Sequence, residues 1–177
     1  MTRKSLNFTN LQLNVPEVET SKMRIDIPGW GNIDIENIVI DLNGTVATDG
    51  KIPLDVKEKI NSLSGQTKIY ILTADTQGTA DKEVPGMNAE LVKTPEEDSK
   101  QKKLDFLKTL NLEATVAIGN GSNDQFILKE AALGIAVLGD EGVSVSAIKS
   151  ADIVVKNIQN ALDVLLKPKR LIATLRE

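Results

Sequence analysis

Six short apolar runs, rich in β-branched residues, recur from about residue 36 onward: Ile38–Ile40, Lys68–Leu72, Glu90–Val92, Thr115–Ile118, Gly134–Leu138 and Asp152–Val155. Each is continuous rather than alternating, the pattern of a strand covered on both faces. Helical patterns lie between them. Val56, Ile60 and Leu63 share one face, as do Leu104, Leu107 and Leu110 with Phe106 adjoining. Repeated βα units of this length predict a parallel α/β sheet with helices on both faces, and such sheets bind ligands at the carboxyl ends of their strands. Ahead of them, Arg24–Pro28 and Asn32–Ile35 alternate polar and apolar around Gly29-Trp30-Gly31, which predicts a β-hairpin. Residues 1–22 are polar and irregular, and a loose arm is expected there, with 23–177 as one domain.

Composition narrows the chemistry. The 177 residues are 41% apolar but only 3% aromatic, so the core must be built from Ile, Leu, Val and Ala. A net charge of -4 without a dense basic stretch argues against nucleic acid or an anionic membrane as partner. No apolar run approaches the ~20 residues of a membrane helix, and the first 22 residues do not read as a secretory signal. Cysteine is absent, which excludes disulfides and makes a cytoplasmic location the expectation. Histidine is absent too. A Ser-His-Asp triad, a thiolate nucleophile, a phosphohistidine and an ordinary zinc site are therefore all excluded. Carboxylates, hydroxyls, lysines and backbone amides remain, and such hard donors suit Mg2+.

Four places then stand out. Ile38-Val39-Ile40-Asp41-Leu42-Asn43-Gly44-Thr45 puts a carboxylate at a strand's carboxyl end before a glycine turn. Ile69-Tyr70-Ile71-Leu72-Thr73 ends the next strand in a hydroxyl, and Lys103 sits early in a helix. Gly119-Asn120-Gly121-Ser122-Asn123-Asp124 closes a later strand with a second carboxylate opening a helix. Alone, each has an ordinary explanation: a carboxylate before glycine forms turns, and an acid at a helix start suits the dipole. Together they fit phosphoryl transfer through an aspartyl-phosphate. A carboxylate attacking an anionic group needs positive charge beside it. Mg2+ held by Asp41, Asp124 and a carbonyl near Asn43 would supply it, while Thr73, Lys103 and the amides of the Asn43–Thr45 turn, Gly44 included, would hold phosphoryl oxygens.

Asp-x-x-Gly-Thr, a strand ending in Thr, a Lys and Gly-x-Gly-x-Asn-Asp, in this order over residues 38–124, resemble the haloacid-dehalogenase-like (HAD) superfamily. The likeness runs on through Gly134-Ile-Ala-Val and Ala151-Asp-Ile-Val-Val. The variants Asp-x-Asn-Gly-Thr and Gly-Asn-Gly-x-Asn-Asp look most like those of the small soluble P-type-ATPase-like proteins. The resemblance implies a Rossmann-like core and Asp41 as nucleophile. It further implies Thr73 and Lys103 as the phosphate-binding pair, and a metal set drawn from Asp41, Asn43, Asn120 and Asp124. Most phosphatases of the superfamily have aspartate, a general acid/base, where this chain has Asn43, and many have aspartate at Asn120. Asparagine cannot shuttle a proton, so slow turnover is expected. The spacing leaves no room for a cap domain, and cap-less relatives often close the site with a second subunit, so a homo-oligomer joined through the Val46–Pro53 flap is expected.

The expected activity is a Mg2+-dependent phosphatase acting on a phosphorylated small molecule or phosphoprotein. One rival is a degenerate relative that binds Mg2+, phosphate or a partner without turnover. Another is a receiver domain phosphorylated on aspartate, which would need an acidic pair near the end of the first core strand. There is no P-loop, and nothing resembling a nucleotide-gripping second domain.

Overall fold

The computed structural model describes residues 23–74 and 79–177. The expected N-terminal arm, and a helix cap expected at Asp75, lie outside them. The hairpin is present: β1 (Met23–Ile27) and β2 (Gly31–Ile35) pair antiparallel from Met23↔Ile35 to Ile27↔Gly31. Its alternation gives it one buried face, Met23, Ile25, Ile27, Ile33 and Ile35, while Arg24, Asp26 and Asp34 face water.

The core is a six-stranded parallel sheet ordered β5-β4-β3-β6-β7-β8. Its strands are β3 (Asn37–Asp41), β4 (Lys68–Thr73), β5 (Glu90–Lys93), β6 (Thr115–Gly119), β7 (Leu133–Val137) and β8 (Ile153–Val155). Counted from β3, that order is 3-2-1-4-5-6, the doubly wound arrangement, and not the 2-1-3-4-5 of receiver domains. The receiver alternative falls on topology. Chain order reverses between β3 and β6, which puts the binding crevice at the carboxyl ends of these two central strands.

One face of the sheet carries the hairpin, α1 (Leu54–Leu63), α2 (Thr79–Glu83), α6 (Ile158–Leu166) and α7 (Pro168–Leu175). The other carries α3 (Ser99–Leu107), α4 (Gln125–Glu130) and α5 (Val145–Ser150). Val56, Ile60 and Leu63 are buried on α1, and Leu104 and Leu107 on α3, as the periodicity predicts. The central strands β3, β6 and β7 are buried at every residue. Full burial fails at the two ends of the sheet. Leu91 and Val92 of β5 are half-buried, and Val154 of β8 is exposed, because an edge strand has a neighbour on one side only. Leu138 falls just beyond β7 and is exposed. Among the described residues the loops after β3 and β4 hold no inserted domain, and no helix is long and apolar enough to cross a membrane.

Candidate active site

Asp41 is the last residue of β3, and Thr73 is the last residue of the adjacent β4. On the other side of β3, β6 ends at Gly119 and runs through a short 3₁₀ turn, Ser122–Asp124, into α4. The sheet thus brings the first, second and fourth motifs to one edge, and α3 crosses over it with Lys103. Lys103 lies in the middle of α3 rather than early in it, fixed by the burial of Leu104 and Leu107 beside it.

The three charged residues meet. Lys103 Nζ donates to Asp41 Oδ1 at 2.5 Å and to Asp124 Oδ1 at 2.7 Å. Lys103 and Asp124 are wholly inaccessible and Asp41 nearly so. One ammonium serves two carboxylates, so the cluster keeps an excess of negative charge in a place where ionisation is costly. Burial, and then the charge of Asp124, push Asp41 up to about 7 against the pull of Lys103. Burial acts to lower Lys103, but the two carboxylates outweigh it and hold the ammonium above its ordinary value. Asp124 is locked in place: its Oδ2 accepts the amides of Asn120 (3.1 Å) and Gly121 (2.8 Å).

A Cβ on Gly119 would stand 2.5 Å from Asp124 Cγ, so this residue makes room for the second carboxylate rather than for a ligand. Gly44 adopts φ 77°, which favours glycine, and turns the chain sharply after Asp41. Within that turn Gly44 N donates to Ala47 O (2.9 Å) and Thr45 N to Leu42 O (3.3 Å). These two amides were expected to cradle phosphate, but both are committed inside the turn and would have to leave these bonds to do so. The Asn43 side chain is exposed at the mouth.

The Asn120 side chain is engaged by two loops. Its Oδ1 accepts the Thr45 hydroxyl (3.0 Å) and its Nδ2 donates to Gly142 O (3.0 Å), which ties the nucleophile loop to the β7–α5 loop. The Thr45 hydroxyl also helps to lower Asp41. The sequence reading overlooked Glu141. Its Oε1 accepts Asp49 N at the flap tip (3.2 Å), and its Oε2 would lie 3.0 Å from a Cβ on Gly44. The glycines around Asp140-Glu141 mark a turn, and only the three-dimensional meeting of two loops reveals a contact across 92 positions. A cleft of about 270 Å³ opens beside Gly44 and Thr45, bounded by Thr48, Gly139, Asp140 and Asn157.

The donor set can be tested against Mg2+. Among the described residues no three acidic side chains converge. Two carboxylates do, and a cation, the Lys103 ammonium, stands where they meet. Mg2+ commonly takes one or two carboxylates and completes its octahedron with water and phosphate oxygens, so the pair fits.

No model of a known protein family matches the chain. An uncharacterised protein of Methanocaldococcus jannaschii is 52% identical over 83 residues, covering 46% of this chain and 89% of that protein. A soluble P-type ATPase-like phosphatase of the same organism is 28% identical over 145 residues, 78% of this chain and 52% of the phosphatase's own length. Among solved structures, the 3-deoxy-D-manno-octulosonate 8-phosphate phosphatase of Moraxella catarrhalis, in complex with magnesium, phosphate and the sugar acid, superposes with a TM-score of 0.63. It is 15% identical, and the match covers 80% of this chain and 94% of that one. The cobalt-bound deoxy-D-mannose-octulosonate 8-phosphate phosphatase of Haemophilus influenzae gives 0.60 at 14% identity, covering 77% and 90%. A structure described as a HAD-superfamily hydrolase of subfamily III A, from Legionella pneumophila, gives 0.61 at 15%, covering 80% and 87%. The chain thus shares the fold of these solved structures, and its sequence is similar to that of a soluble P-type ATPase-like phosphatase.

Proposed function

We propose that the protein is a Mg2+-dependent phosphatase that works through an aspartyl-phosphate on Asp41. The observation that carries this reading is the meeting of Asp41, Asp124 and Lys103 at the switch in strand order. Asp41 forms a bond to phosphorus as the bond from phosphorus to the leaving oxygen breaks, and the leaving group takes its electron pair and then a proton from solvent. Water next attacks the same phosphorus, the bond to Asp41 breaks, and the carboxylate is regenerated with release of inorganic phosphate. Lys103 and the Thr73 hydroxyl hold phosphoryl oxygens during both steps. A divalent ion held by Asp41, Asp124 and the Asn43 carbonyl would supply the positive charge that lets two anions approach.

With Asn43 in place of an acid/base, leaving groups that depart unprotonated are favoured and hydrolysis of the phosphoenzyme is slow. The substrates proposed are phosphorylated small molecules, such as the sugar-acid phosphate on which the solved neighbours act, or a phosphoprotein. The second reading, binding of Mg2+ and phosphate without turnover, is favoured by Asn43 and by the commitment of the Gly44 and Thr45 amides. A panel of phosphate esters assayed with Mg2+ separates the two. Wild type releases phosphate from at least one ester with a good leaving group, and Asp41→Ala releases none. Release equal in both, or absent from wild type on every ester, removes the phosphatase reading.

A further inference from the structure

A divalent ion and Lys103 lay claim to the same two carboxylates. Asp124 spends Oδ2 on two backbone amides, so Oδ1 is the oxygen it turns to the site, and Lys103 already holds it at 2.7 Å. The same ammonium lies 2.5 Å from Asp41 Oδ1. Lys103 is fully buried, so an ammonium displaced from these two carboxylates would lose their charge without gaining full hydration. Two cations side by side in such a place repel with little screening by solvent.

We propose that Lys103 is a resident counter-ion that competes with the divalent ion for Asp124 and Asp41, and that an arriving phosphoryl group relieves this competition by offering the ammonium its own oxygens. The inference rests on the phosphatase reading of the site. The flexible lysine stem lets Nζ pass from carboxylate to phosphoryl oxygen without movement of the backbone of α3. Metal and phosphate then bind with positive coupling, and the coupling is reciprocal: each tightens the other by the same factor. In the empty protein the ammonium keeps two buried carboxylates from facing each other unneutralised.

Calorimetric titration of Mg2+ into wild type and Lys103→Met, each with and without inorganic phosphate, tests this. Wild type should bind Mg2+ roughly tenfold tighter when phosphate is present, or better. Lys103→Met should bind Mg2+ alone roughly tenfold tighter than wild type does, because its competitor is gone, and should gain less from phosphate. Binding of Mg2+ alone by the variant that is equal to or weaker than wild type overturns the competition and leaves the metal-dependent reading standing. Absence of Mg2+ binding in both proteins overturns the two together. If circular dichroism shows Lys103→Met unfolded, Lys103→Gln, uncharged but still a donor, takes its place with the same outcomes.

Discussion

Asparagine at position 43 differs from aspartate in a proton it cannot give, and its side chain is exposed two positions after Asp41. Asn43→Asp should raise turnover by roughly tenfold or more, most on esters with poor leaving groups. The new carboxylate adds repulsion beside Asp41, which bound Mg2+ offsets. Steady-state rates on paired good and poor leaving groups check this, and a variant no faster on any ester sinks it. Because Asn43 precedes glycine, mass spectrometry must show the wild type free of deamidation first. Gly119 makes a second test. The Cβ of Gly119→Ala would meet Asp124 Cγ at 2.5 Å and push the carboxylate aside. Mg2+ should raise the melting temperature of wild type, and that rise should shrink in Gly119→Ala as in Asp124→Ala. Equal responses in all three would remove Asp124 as a ligand. The places of Asp41 and Thr73 at strand ends, and of Lys103 and Asp124 on the elements after β5 and β6, were legible in the sequence because apolar runs and helical periods mark those elements. The tasks of Asn120 and Glu141 were not, because each depends on which loop folds against which.

Three helices of the hairpin-bearing face, α1, α6 and α7, are joined by one carboxylate. Asp163 on α6 takes Lys59 of α1 together with Lys167 at 3.2 Å and Arg170 at 3.0 Å, and its side chain is 14% exposed. The hydrogen bond from Lys59 is the main reason Asp163 is held below the usual carboxylate range. A folded-state value below the unfolded one near 3.9 means that the stabilisation is complete above about pH 4 and lost as pH falls through the lower folded value. Asp163→Asn should lower the melting temperature near neutral pH by about 2–4 °C, the shift of a ~1 kcal/mol loss in a chain of this size. That gap should close in acid, and thermal melts at several pH values measure it; a gap independent of pH would assign the loss to packing. Central strands were readable from composition alone because burial on both faces leaves no choice but apolar residues. Edge strands were misjudged for the same reason, since β5 and β8 carry apolar residues that half-face water.

Self-association is the expectation for the whole molecule, with the flap covering a neighbour's open site. The flap buries Val46, Ala47 and Ile52 in its own core, so the surface it offers is the Thr48–Lys51 tip and Pro53, beside Leu54 of α1, which is 72% exposed. Sedimentation should show an oligomer at micromolar concentration, and Leu54→Glu should reduce its size. A strict monomer refutes the association, and a Leu54→Glu oligomer unchanged in size moves the contact elsewhere, with the exposed Val145, Ile148 and Val154 around β8 next to be tested. The hairpin and α7 carry a consequence of a different kind. They pack together, and Glu177 N donates to Pro28 O, although translation delivers the hairpin before every other described element and α7 after all of them. A ribosome stalled short of α7 would hold a nascent chain whose β1 still lacks that cover, a substrate for chaperones and proteases rather than a folded domain.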